Sequence, residues 1–209
     1  MLIDLTLNEF LNKVAGSDPV PGGGSVAALN GAIASALAAM VAQLTIGKKG
    51  YEAHQELMEH IAETAQQHLT QFMTDVDKDS DAYNEVFACF KLPKQTDEEK
   101  AARSAAIQAA TKHAALVPMQ VAHDAYQLMD IISDVARLGN RNAVTDACVA
   151  MMAARSAVLG ALMNVRINLG AIKDAAFVGQ LQEEANELER AACEKENILI
   201  DTVKQELES

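Results

Sequence analysis

Apolar positions recur along most of this chain at spacings of three and four residues, the mark of helices with one buried face. Thr6-Leu-Asn-Glu9 is a capping box, so a short helix is expected from there to about Ala15. Gly16 to Gly24 holds two prolines and four glycines and reads as a loop. A long helix is expected from about Ser25 to Leu44, where Ala27, Gly31, Ala34 and Ala38 let another helix come close. Gly47 and Gly50 break it. The next helix, from about Tyr51 to Phe90, carries the stripe Ile61, Ala65, Leu69, Phe72, Val76, Tyr83, Val86 and Phe90. Leu92-Pro93 ends that helix. A second capping box, Thr96-Asp-Glu-Glu99, opens a helix that reaches about Leu138, with a kink expected at Pro118. After Gly139-Asn140 come a helix from about Ala143 to Val165, a break near Gly170, and a last helix from about Asp174 to Glu206. The fold expected is all-α. It is a single domain over residues 1–209, a bundle of about six helices, several of them long, around an Ala/Gly-rich central one.

Composition narrows the functional classes. Aromatic residues are 4% with no Trp, which disfavours an all-β sandwich. The net charge of −12 argues against nucleic acid or anionic lipid as a partner. That charge is concentrated: residues 51–99 hold 12 acidic and 3 basic side chains, and residues 180–209 hold 9 and 3. The segments 1–50 and 100–179 are neutral and slightly basic. Cys89, Cys148 and Cys193 are odd in number and far apart, so neither a disulfide framework nor a zinc site is expected, and a reducing cytoplasm fits. The N-terminus has acids where a secretion signal needs bases. Val26 to Thr45 is long enough to span a bilayer and carries no charge. It is built on Ala and includes Asn30, Ser35 and Gln43, so a buried central helix is expected in place of a membrane span.

Three places can carry chemistry. Pro21-Gly22-Gly23-Gly24-Ser25 joins a glycine loop to a helix start, where a ligand can approach the backbone and anions are attracted; a tight turn is the plain alternative. Asp75, Asp77, Asp79 and Asp81 alternate along a helix, and a calcium loop is excluded by Ser80 and Val86 at its glycine and glutamate positions. Asp79 lies three residues after Val76 and four before Tyr83, so it takes a place in the apolar stripe. A carboxyl there is either part of a buried salt bridge or a general acid–base group with a raised pKa. Third, Asp146 and Asn164 flank a stripe of small residues, as interhelical hydrogen-bond partners or as a pocket wall. The five histidines lack metal-ligand spacing, so no metal site is expected.

These residues resemble a known family. The segments are Pro21-Gly-Gly-Gly-Ser-Val-Ala-Ala28, Leu44-Thr-Ile-Gly-Lys48 and Asp77-Lys-Asp79-Ser-Asp-Ala82-Tyr83. Further along they are Leu92-Pro-Lys-Gln-Thr96 with Glu98 and Glu99, Val117-Pro118, Gly139-Asn140, Asp146 and Asn164-Val-Arg-Ile-Asn168. In this order they resemble the formiminotransferase-cyclodeaminase family, in its cyclodeaminase or methenyltetrahydrofolate cyclohydrolase domain. The resemblance implies a cytoplasmic all-helical enzyme, a homodimer or higher homo-oligomer, acting on a tetrahydrofolate derivative with no further cofactor. It assigns acid–base catalysis to the second aspartate of an Asp-x-Asp-x-x-Ala-aromatic motif. That aspartate falls on Asp79, the residue the stripe picks out. The family often has Glu where this chain has Asp81, which argues against an essential Asp81.

On this basis Asp146 or Asp77 is expected to orient Asp79 or a water molecule. Pro21, Gly22, Gly23, Gly24 and Ser25, together with Asn140 and Asn164, are expected to hold the substrate, and Lys48 or a nearby arginine to meet its anionic glutamate tail. The chain leaves no room for the transferase domain of bifunctional members. The expected reaction is therefore hydrolysis of 5,10-methenyltetrahydrofolate to 10-formyltetrahydrofolate. Cyclodeamination of 5-formiminotetrahydrofolate is the alternative, and a non-catalytic helical scaffold the remote one.

Overall fold

A computed structural model gives the structure of residues 1–208. Six α-helices run in order: α1 (Leu7–Val14), α2 (Gly23–Gln43), α3 (Gln55–Cys89), α4 (Asp97–Leu138), α5 (Val144–Leu169) and α6 (Ala175–Glu208). Three short 3-10 turns, Leu2–Asp4, Glu52–His54 and Arg141–Ala143, punctuate them, and the described residues contain no strand. Both capping boxes form. Thr6 and Glu9 cap each other's backbone at the start of α1, and Thr96 and Glu99 do so at the start of α4.

Several boundaries differ from the sequence reading. Helix α2 begins at Gly23, two residues before Ser25, because helical backbone needs no side chain where the loop comes in close. Helix α4 runs on through Pro118 as one 42-residue element, and Pro118 is buried in it. Helix α5 extends four residues past Val165 to Leu169. The Leu2–Asp4 turn had no signal in the apolar pattern.

The core is built by α2, α3, α4 and α5, with α6 laid along the outside of α4 and α5. Contacts fix the directions. Gly31 of α2 faces Phe72 of α3, and Ser25 faces Val76, so these two helices are antiparallel. At the α2–α5 crossing, Gly23 lies by Asn164 and Ala27 by Gly160, so this pair is antiparallel too. The far ends of α2 and α4–α5 are tied by Asn140, whose amide nitrogens donate to Thr45 Oγ1 (2.8 Å, backbone) and to the Leu44 carbonyl (3.1 Å, side chain). Helix α6 is held by ion pairs between Arg155 and Glu196 and between Arg166 and Glu189.

Small residues set how close α2 comes to its neighbours. A Cβ on Gly31 would lie 2.7 Å from the ring of Phe72, a side chain with no exposed surface. Gly31→Ala gains about 1 kcal/mol of helix propensity. It also forces a ring in a sealed core to move, a class of change that costs ~1–3 kcal/mol. The second effect wins because Phe72 has no free space to enter. Gly31→Ala is therefore expected to lower stability by up to about 2 kcal/mol in urea unfolding; a raised midpoint contradicts this packing.

Candidate active site

Beyond Val76 the apolar stripe of α3 leaves the core. Tyr83 and Phe90 are largely exposed, and the stripe there forms one wall of a cavity of 290 Å³. The cavity is closed by the Pro19–Gly24 loop below, by Asp79, Tyr83 and Val86 on α3, and by Asn164, Ile167 and Asn168 on α5. The interruption of the stripe at Asp79 thus marks the floor of a cavity.

The Asp79 carboxyl rests against the first turn of α2. A Cβ on Gly24 would lie 2.0 Å from its Oδ1 and 2.4 Å from its Cγ, so only glycine leaves space for this carboxyl. Gly22 is the N-cap of α2 and has no side chain to cap the helix. An ionised Asp79 is favoured there by the positive end of the helix dipole. The buried Ser25 hydroxyl lies 2.9 Å from the Val76 carbonyl, 3.2 Å from Asp79 Oδ2 and 3.2 Å from Ser80 Oγ. Its one proton can serve one acceptor at a time, and Val76 is nearest. Burial pushes the Asp79 carboxyl above the ordinary aspartate range, while the hydroxyl and backbone of Ser25 pull it back. Asp79 forms no ion pair among the described residues, so the buried salt-bridge reading of this position falls away.

A buried carboxylate with an ion-pair partner sits one turn earlier, at a residue the apolar pattern did not pick out, and its lysine is half exposed. Asp75 is 3% exposed and accepts from Lys78 Nζ (2.8 Å) and Gln71 Nε2 (2.9 Å). Asp77 points elsewhere: its Oδ1 accepts from the backbone N–H of Leu2 at 2.6 Å and holds the first turn against α3. It therefore does not orient Asp79. Its position two residues away on a helix turns it about 200° from Asp79.

The other expected site residues divide by place. Pro21 is buried in the loop, and Gly22, Gly23, Gly24, Ser25 and Asn164 gather at the Asp79 end. Asn164 donates its Nδ2 to the Gly160 carbonyl and stands 3.4 Å from a Cβ built on Gly23. Lys48, Asn140 and Asp146 lie at the opposite end of the bundle. Helix α2 separates Lys48 from Gly23 by about 30 Å. Asp146 is about 27 Å along α5 from Asn164. Within one chain, Asp146 cannot orient Asp79 and Lys48 cannot reach substrate beside it. Asn140 is 7% exposed and fully engaged: it ties α2 to α5 and caps the Arg141–Ala143 turn through its Oδ1. These hydrogen bonds hold the α4–α5 connection against the end of α2. The cavity-lining residues Tyr83, Ile167 and Asn168 were missed as contacts, although the family motifs contain all three.

A second cavity of 310 Å³ lies between α4 and α6, lined by Leu199 and Val203 among others. Its one lining lysine, Lys195, is paired with Asp130, and no carboxyl with a raised pKa faces it. Among the described residues no cluster of His, Cys, Asp and Glu is able to hold a metal ion.

A helical bundle with one carboxyl raised by burial above its ordinary range beside a small cavity has the arrangement of an enzyme. Residues 6–187 match the formiminotransferase-cyclodeaminase family, and the chain belongs to it. It is 38% identical over 205 residues to a methenyltetrahydrofolate cyclohydrolase of Methylorubrum extorquens, covering 97% of each chain. It is 35% identical over 176 residues to the rat formimidoyltransferase-cyclodeaminase, covering 84% of this chain and 32% of that one. A solved formiminotetrahydrofolate cyclodeaminase from Thermotoga maritima superposes with a TM-score of 0.88 at 31% identity, covering 99% of this chain and 100% of that one.

The contact of Asp79 with Gly24 is directly testable. In Gly24→Ala the added methyl pushes the carboxyl, the free end of a side chain, out of its place without opening the core. The expected result is a native helical signal with turnover down on the order of 100-fold, the effect of misplacing a reacting group by an ångström. Wild-type turnover in that variant contradicts the placement of Asp79.

Proposed function

We propose that this protein hydrolyses 5,10-methenyltetrahydrofolate to 10-formyltetrahydrofolate, with Asp79 as the acid–base group. The observation that carries this reading is the half-buried Asp79 carboxyl, raised in pKa by burial, on the floor of a cavity in a chain of this family. The relative that matches along nearly the whole of both chains bears the cyclohydrolase name, which favours this reaction over its neighbours.

The substrate's bridging carbon lies between two nitrogens and carries a positive charge, which an adjacent carboxylate attracts. Ionised Asp79 takes a proton as a water oxygen bonds to that carbon. The tetrahedral adduct then breaks its bond to N5, and the Asp79 proton goes to the departing nitrogen. The hydroxyl of the adduct loses its proton to solvent and becomes the formyl carbonyl on N10. Atoms balance as one cation plus one water giving the formyl compound and one proton. Asp79 ends as it began. A group that must take and give a proton at neutral pH works best with a pKa between the ordinary aspartate value and neutrality, the direction in which burial moves Asp79.

The loop from Pro21 to Gly24 offers backbone groups to the flat ring system, and Asn164 and Asn168 offer amides from the facing wall. The folate is substrate here, and no further cofactor enters these steps. The reading includes a cytoplasmic location and a homodimer or higher homo-oligomer. A second reading, cyclodeamination of 5-formiminotetrahydrofolate, is favoured by the name of the Thermotoga structure. The same carboxyl then protonates the departing ammonia as N10 closes the ring. Ammonia release from the formimino compound, set against loss of the methenyl absorbance, decides between them.

Asp79→Asn separates a catalytic from a structural role. Turnover is expected to fall by at least ~100-fold. Stability moves the other way. A carboxyl whose folded pKa is raised favours the folded state below its unfolded pKa. That contribution is lost as pH rises through the folded pKa. At neutral pH the wild type therefore bears the cost of a half-buried charge, which Asn lacks, so the variant should unfold at an equal or higher temperature at pH 7. The margin should shrink as pH falls into the ordinary aspartate range. Full turnover in Asp79→Asn removes the residue from the mechanism.

A further inference from the structure

The helical face that carries Asp79 does not stop at the cavity. Asp79, Tyr83, Val86 and Phe90 follow one another at steps of four, three and four residues, so they share one face of α3, with Phe87 at its edge. Tyr83 and Val86 line the cavity, and Phe87 and Phe90 lie one and two turns beyond Tyr83, outside it. The chain has only 3 Tyr and 5 Phe. Among the described residues the largely exposed ones are Tyr83, Phe87 and Phe90, all on this face. The Tyr83 and Phe87 rings stack, 9° from parallel with their centres 6.5 Å apart.

Cations close the outer end. Lys91 Nζ stands 4.6 Å from the centre of the Phe87 ring, and the guanidinium of Arg103, from α4, stands 5.6 Å from that of Phe90. Arg103 donates twice to the Phe90 carbonyl, at 3.0 and 3.4 Å, and keeps its other N–H groups free. Neither cation forms an ion pair among the described residues, and neither does Lys94 in the connection that follows. The acids of this region are already engaged: Glu85 with His113, Asp97 with Lys100, and Glu98 and Glu99 with the Thr96 cap. Residues 51–99 hold only 3 basic side chains, and the one besides Lys91 and Lys94, Lys78, is spent on Asp75.

We propose that this outer face is the subsite for the p-aminobenzoyl-glutamate part of the substrate: the ring lies on Tyr83 and Phe87, and the carboxylates meet Lys91 and Arg103. The identity of the ligand rests on the folate reading. In a folate the benzoyl ring is bonded directly to N10, one of the two nitrogens beside the reacting carbon, and the glutamate is bonded to the far side of that ring. The side chains of α3 come in the same order. Tyr83 is about 6 Å along the helix from Asp79, and Phe87 and Phe90 are about 12 and 16 Å from it. The cavity, at 290 Å³, is at the lower end of ligand pockets and holds the fused rings while the tail runs outside. None of the residues lining it is basic, so an anionic tail finds its partners only beyond the mouth. A flat ring against exposed aromatic faces and carboxylates against unpaired cations are both favourable contacts.

The test compares 5,10-methenyltetrahydrofolate with an analogue that carries a methylamide in place of the glutamate. In Lys91→Glu combined with Arg103→Glu, kcat/KM for the glutamate substrate relative to the analogue is expected to fall about 10-fold, through KM. An unchanged ratio, including one in which both substrates lose equally, overturns the carboxylate contacts. Phe87→Ala is expected to raise KM for both substrates about 5-fold; an unchanged KM overturns the ring contact. Binding without turnover is read by NMR saturation transfer from the protein to the aromatic protons of p-aminobenzoyl-triglutamate. Transfer is expected with the wild type and is expected to be lost when Phe87→Ala is added to the charge-reversed pair in a chain with native helical content. No transfer with the wild type, or equal transfer with that variant, overturns the subsite. Absent transfer together with a changed sedimentation rate in Phe87→Ala assigns the face to a protein partner instead. If the wild type binds this probe but leaves the methenyl compound unchanged, the hydrolysis reading fails and the subsite stands.

Discussion

Where Asp79 meets Gly24, a carboxyl group and the first turn of a helix occupy the same few ångströms, and each sets conditions on the other. The helix must lack a side chain there, since a Cβ would overlap the carboxyl. The carboxyl must sit at the unsatisfied N–H end of α2, because elsewhere in this wall nothing would offset its lost hydration. The balance is incomplete. A helix end favours an anion by ~0.3–1 kcal/mol, rising to ~2 in partly buried sites. Burial raises the Asp79 pKa, and the hydrogen bonds of Ser25 offset only part of that rise. The fold thus holds a carboxyl in a place where its charge is tolerated but not preferred. That is the state a proton-transfer group needs.

Keeping α2 and α3 close enough for this contact is a task for the whole bundle. Gly31 against Phe72, two turns along, sets the spacing, and Ser25 bonded to the Val76 carbonyl sets the register. Helix α5 comes alongside through Gly160 and Ala27 and brings Asn164 to the cavity. At the other end, Asn140 locks the α4–α5 connection onto the last turn of α2. The Ala and Gly content of α2 and α5 therefore serves position. It lets three helices deliver side chains to one cavity with little slack.

Much of this was legible in the residues. Two capping boxes and the 3.6-residue period located the helices because both are local devices. Asp79 was legible because a charge in an apolar stripe is an anomaly that needs a cause. The cause differed from the simplest one: the stripe lines a cavity past Val76 and no longer belongs to the core. Asp75 was missed because its burial depends on which helix lies opposite, a non-local fact. The same limit applies to Lys48, Asn140 and Asp146. Motif order along a chain carries no information about which end of a bundle a residue reaches. Asn140 ties the α4–α5 connection to the end of α2, and the other two lie about 30 Å along their helices from the Gly23 end.

Everything in the proposed chemistry depends on burial raising the Asp79 carboxyl above the ordinary aspartate range. The most direct measurement is a 13C NMR titration of that carboxyl in the folded wild-type protein, set beside the acidic limb of kcat/KM. The account predicts a titration midpoint above the ordinary aspartate range that coincides with the kinetic limb. A midpoint at or below the ordinary aspartate value would contradict it.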